Sequence, residues 1–139
     1  MNHCEMLKNW LESFPDWQMK VTVNFTGNRP GCAGLFPKTR KILWKKEDVA
    51  GNGNVHLQDT YSLFPVFIRK ENGCREAGIV EAFMKWVHTQ SLLGKLPGLG
   101  DAQVSLRAEG GQLRDIPQSG IARYEITLIA EYTNYYEVI

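Results

Sequence analysis

The side chains best equipped to hold a metal or attack a substrate are three histidines and three cysteines, and their spacing suits neither task. His3, His56 and His88 stand far apart and form no HxxxH or HExxH pattern, while Cys4, Cys32 and Cys74 contain no CxxC pair. A structural zinc site draws its ligands in pairs two to four residues apart. No GxSxG turn presents a nucleophile. The strongest catalytic fragment is His56-Leu57-Gln58-Asp59, a base with a nearby carboxylate. On a strand that odd step sends the two side chains to opposite faces, so the pair is expected not to act together. The loop Thr26–Gly31 lacks the GxxxxGK[ST] spacing of a phosphate cradle. Gly98 and Gly100 open like a dinucleotide fingerprint, but Gln103 occupies the third small position and a helix-type segment precedes them. No catalytic residue, cofactor or metal is expected.

Two other groups of residues are candidates for an interface. Lys38, Arg40, Lys41, Lys45 and Lys46 place five cations in nine residues, with Trp44 among them. They read either as a contact surface for an acidic partner or a phosphate backbone, or as a solvated strand face whose lysines protect an edge. Glu47 and Asp48 dilute the field. Tyr132, Tyr135 and Tyr136 belong to an aromatic end running from Tyr132 to Ile139. These tyrosines either cap the core or meet a neighbouring subunit through a terminal strand. The net charge of +1 makes no electrostatic case for nucleic acid or membrane as the main partner, so any DNA contact is expected to be incidental.

The elements that must carry these residues follow from period and punctuation. With 139 residues, 43% apolar and 22% charged, the chain suits one globular domain over 1–139. Met6, Leu7, Trp10, Leu11 and Phe14 share one helical arc, with Asn2 and Glu5 spaced as a capping box and Pro15 ending the helix near Phe14. Met19, Val21, Val23 and Phe25 alternate as a strand. Two longer runs, one holding Ile42, Trp44 and Val49 and the other reaching from Val55 to Ile68, flank Gly51–Asn54 as a hairpin. Pro65 requires the second run either to lie at an edge or to bend.

Glu76–Leu93 returns to helical period, with Gly94 as its stop. Val104, Leu106 and Ala108 alternate, Gly110-Gly111 is expected to turn the chain, and a last strand buries Ala122, Tyr124, Ile126, Leu128, Ala130 and Tyr132. The fold class is therefore α+β, order α-β-β-β-α-β-β, with a mainly antiparallel sheet and two helices on one face. The opening residues carry no signal-peptide pattern, and no apolar run reaches membrane-spanning length. A cytosolic location with reduced thiols is expected.

Several stretches together resemble a known group. They are Gly34-Leu35-Phe36-Pro37-Lys38-Thr39-Arg40-Lys41-Ile42-Leu43, Tyr61-Ser62-Leu63-Phe64, Phe83–Gln90, Leu106–Gly111 and Tyr124–Leu128. In these the chain resembles small proteins from prophage morphogenesis clusters of Gram-positive bacteria, whose architecture is similar to tail terminator and head–tail joining (minor capsid) proteins. The resemblance implies a structural virion component made in the bacterial cytoplasm. It implies a homo-oligomeric ring, usually a hexamer in such proteins and often completed only on the tube, contacting tail-tube and head-connector proteins and carrying no cofactor. A small enzyme or ligand-binding domain with a site scattered in sequence is the alternative.

Overall fold

A computed structural model describes residues 2–70 and 73–137. The elements run α1 (His3–Leu11), β1 (Lys20–Val23), β2 (Cys32–Glu47), β3 (Gly53–Ile68), α2 (Cys74–Leu93), β4 (Ala102–Gln118) and β5 (Ile121–Tyr136). They form a five-stranded sheet in the order β1-β2-β3-β5-β4. Only β1 and β2 run parallel; the other three neighbouring pairs are antiparallel. This is the α+β order expected from the sequence.

One face of the sheet holds the core. Leu7 and Leu11 of α1 and Val80, Phe83 and Val87 of α2 join Leu35, Leu63, Ile126 and Leu128 of the strands in a single apolar cluster. Phe83 is fully enclosed, stacked on Trp17 with ring centroids 4.4 Å apart and met edge-on by Phe14 at 5.4 Å. Asn2 Oδ1 accepts the Glu5 N–H at 2.9 Å and so caps α1. The helix stops at Leu11, before the expected Phe14, because the Ser13 and Phe14 amides turn back to the Trp10 and Leu11 carbonyls ahead of Pro15.

Two strand expectations need correction, and one alternative is excluded. β1 ends at Val23, since Asn24 takes a left-handed φ of 60°, and Phe25 beyond it is 63% exposed. Pro65 lies in an interior strand, not at an edge; the β3–β5 ladder skips Phe64 and Pro65 and resumes in the same register at Val66↔Arg123. Gly110 and Gly111 do not turn the chain. With φ of 81° and 78° they insert a bulge into a continuous β4, and the turn falls at Ser119-Gly120. A side chain at Gly111 would meet Met84 Sδ at 2.6 Å, so the glycine lets α2 approach the sheet closely.

Candidate functional site

The hairpin of β2 and β3 positions most of the residues singled out above. Its strands splay their side chains to two faces, and the separation expected for His56 and Asp59 is observed.

On the core face, Asp59 is almost wholly buried and accepts from Arg40 Nε at 2.7 Å, Arg40 Nη2 at 3.0 Å and Tyr132 Oη at 2.8 Å. Burial would raise the Asp59 carboxyl, but the bonds from Arg40 and Tyr132 outweigh it and hold the group below its ordinary value. The carboxylate raises the Arg40 guanidinium in return, against the pull of burial. Burial first and Asp59 second push Tyr61 up to about 12, and the same two causes raise Tyr132. His3 packs edge-on against the Tyr132 ring with its Nδ1 3.7 Å from Asp59 Oδ2, beyond hydrogen-bonding length. Beside this cluster an open cleft of about 790 Å³ is lined by residues that include His3, Cys4, Lys38, Arg40 and Asp59.

On the opposite face His56 is held by three neighbours. Its Nδ1 lies 2.8 Å from Thr133 Oγ1, its Nε2 lies 3.3 Å from Glu131 Oε1, and Trp44 stacks on its ring at 5.3 Å. Hydroxyl, imidazole and carboxylate in a row have the outline of a nucleophile with its base. The use does not follow. Thr133 is buried, its hydroxyl donates to Gln103 Oε1 at 2.9 Å, and Trp44 closes the ring face where a reactant would have to enter. Glu131 is committed as well, accepting from Arg107 Nη1 at 2.8 Å. Burial would raise its carboxyl, but the bonds from Arg107, His56 and Gln58 override that and keep it low. No group of three or more His, Cys, Asp or Glu side chains among the described residues could hold a metal ion.

The five cations do not act as one field. Arg40 is bound to Asp59, Lys45 Nζ lies 3.0 Å from Glu47 Oε1, and Lys46 sits 5.3 Å above the Trp44 ring. Lys38 and Lys41 are exposed and form no ion pair among the described residues. The tyrosines divide too. Tyr132 has 0% exposure and belongs to the core, which removes it from the interface candidates. Tyr135 is 57% exposed, and Tyr136 Oη donates to Glu47 Oε1 at 3.0 Å. The register Glu47↔Gly53↔Tyr136 thus sets the basic run and the aromatic end side by side within one subunit. Two separated patches of different character, as the sequence suggests, are not formed by these residues. Val138 and Ile139 lie outside the described residues.

The edge that the lysines are read as protecting is present, and what the sequence reading misses is its length and the apolar side chains along it. β1 covers β2 only over Cys32–Leu35, so on that side Phe36–Glu47 has no strand partner among the described residues. Ile42 (61% exposed), Leu43 and Trp44 lie along this stretch, and Val49 stands in the tip beyond it. The signal was present in the short alternation of β1 set against the length of the next two runs. No helix among the described residues is long and apolar enough to cross a membrane. No protein-family model matches the chain, and no curated protein matches it with significance.

Proposed function

We propose that the chain is a structural component of a phage particle, a tail terminator or head–tail connector subunit that forms a ring on the tail tube. The observation that carries its assembling character is the unpaired edge of β2. Ile42, Leu43 and Trp44 stay in water beside a length of backbone, Phe36–Glu47, that lacks a strand partner on one side among the described residues. Apolar surface and unsatisfied strand edge in one place mark a surface that a partner covers. The placement in a phage particle rests on the resemblance of Gly34–Leu43 and the other stretches named above.

A second reading, a ligand-binding or enzymatic domain, is favoured by the cleft beside His3, Cys4 and Asp59. It is the weaker one. Asp59 and Arg40 spend their charge on each other, and burial and the Asp59 charge raise the Cys4 thiol, away from the reactive thiolate.

Electron microscopy of tail tubes mixed with the chain tests the assembly reading. The tubes are assembled from a tail-tube protein of the prophage clusters that the chain resembles. Added density at a single end of each tube is the expected result. Bare ends at saturating chain, together with tight small-molecule uptake at the cleft, would move the assignment to the second reading.

A further inference from the structure

We infer that copies of this chain join head to tail by strand pairing, the free edge of β2 on one copy receiving β4 of the next. The inference rests on the assembly reading above and names the surface that serves it.

Three observations converge. The first is direction. β2, β3, β5 and β4 alternate up and down, so the edge strands β2 and β4 point opposite ways. A neighbour in the same orientation therefore brings its β4 antiparallel to β2, and the alternation continues across the boundary.

The second is side-chain register. Lys41, Trp44 and Lys46 stand opposite Gln58, His56 and Asn54 on β3, so they share the helix-free face and span four positions of that strand. On β4, Asp115, Gln112 and Glu109 stand opposite Arg123, Glu125 and Thr127 of β5, on the same face and again over four positions. Laid antiparallel, Lys41 meets Asp115, Trp44 meets Gln112 and Lys46 meets Glu109. The other face then brings Ile42 (61% exposed) against Leu113 (42% exposed), two apolar side chains that the isolated chain leaves in water. Bulges near Leu43 on β2 and at Gly111 and Arg114 on β4 are what equalise the two spans. Glu109 and Asp115 already bond Arg107 and Arg123, and both stay exposed enough to take a second cation.

The third is fit along the edge. In this register Gln118, the last residue of β4, reaches Thr39, so the incoming strand stops short of the β2 segment that β1 already occupies. Self-pairing of two β2 edges is the competing arrangement. It would set the cations of Lys38–Lys46 against their own copies, and like charges placed opposite on neighbouring strands repel. A head-to-tail contact uses two different patches and closes into a ring when the rotation permits, whereas β2 self-pairing would stop at a dimer.

Variants that each add one cysteine to the native three, on separate chains, test this. Residues directly opposite on adjacent strands have Cα atoms within disulfide reach. Lys46→Cys chains mixed with Glu109→Cys chains should oxidise to a linked dimer whose joining peptide, identified by mass spectrometry, contains both positions. Neither variant alone should form that link through position 46 or 109. A Lys46→Cys homodimer would establish β2 self-pairing and overturn the inference. A ring seen by light scattering without the 46–109 link would leave the assembly reading standing and overturn the pairing. A chain that stays monomeric at every concentration, with tail tubes present as well as absent, would overturn both. As a second check, Lys46→Glu should raise the concentration needed for assembly, and adding Glu109→Lys to the same chain should lower it again.

Discussion

At the residue scale the most consequential side chain is Asp59. Three donors converge on a carboxylate that is almost out of water, and a buried charge is tolerated only when it is bonded in this way. Bonds to a charged group contribute about 1.5–3 kcal/mol each, and the half-exposed Arg40 end is screened toward the low side of that range. Tyr132→Phe should therefore cost about 1–2 kcal/mol in a urea melt, since it removes one such bond and leaves the ring packing intact. The pH dependence has a definite sign. A carboxyl that ionises more readily folded than unfolded adds stability above its unfolded value of about 3.9, and that stability is lost as pH falls through the folded value. Asp59→Asn should thus be less stable at neutral pH and should lose less on acidification. Parallel acid curves for the two proteins would show that other carboxylates set the acid limb. Little of this network was legible in the sequence. From Glu47↔Gly53 an unbroken ladder would place Arg40 opposite Thr60, on the other face; the bulge at Leu43 moves it opposite Asp59.

At the scale of elements the sequence was far more transparent. Strict alternation from Ala122 to Tyr132 named the buried face of β5 residue by residue, because a strand with one wet face must repeat every second position. The helical period of Glu76–Leu93 likewise sets Val80, Phe83 and Val87 on one apolar face, the face that α2 buries. Phe83→Ala should cost about 3–5 kcal/mol, as it empties a ring site closed by Phe14, Trp17 and Trp86. A loss below about 1 kcal/mol in denaturant titration would contradict the packing of α2 on the sheet. The glycine pair at 110–111 misled for a physical reason. Consecutive left-handed residues serve a tight turn and a bulge equally well, and which one forms depends on the helix that Gly111 must admit. Gly111→Ala should accordingly destabilise, through both its φ and the contact with Met84. Gly120→Ala meets no atom within 4 Å and carries only the backbone cost of a positive φ. Comparing the two melting temperatures separates contact from conformation.

At the scale of the whole molecule, the proposed assembly turns on a surface that no single residue announces. The five cations and the closing tyrosines were visible as composition. Alternation along β5 already placed Tyr132 in the core, but the bonded arginine and the exposed edge follow only from the pairing of strands, which also brings residues as distant as Asn54 and Tyr135 together. What emerges is a sheet with one packed face, two long edges, and apolar side chains along the edge that β1 leaves open. A chain built this way is expected to be complete only in the company of copies of itself. Multi-angle light scattering of the free chain over rising concentration examines that expectation most directly. Head-to-tail closure predicts a shift from monomer to one discrete species, of about six subunits for a ring of the proposed kind, with no continuing growth beyond it. A molar mass that stays at one subunit throughout the series, or climbs without limit, would contradict it.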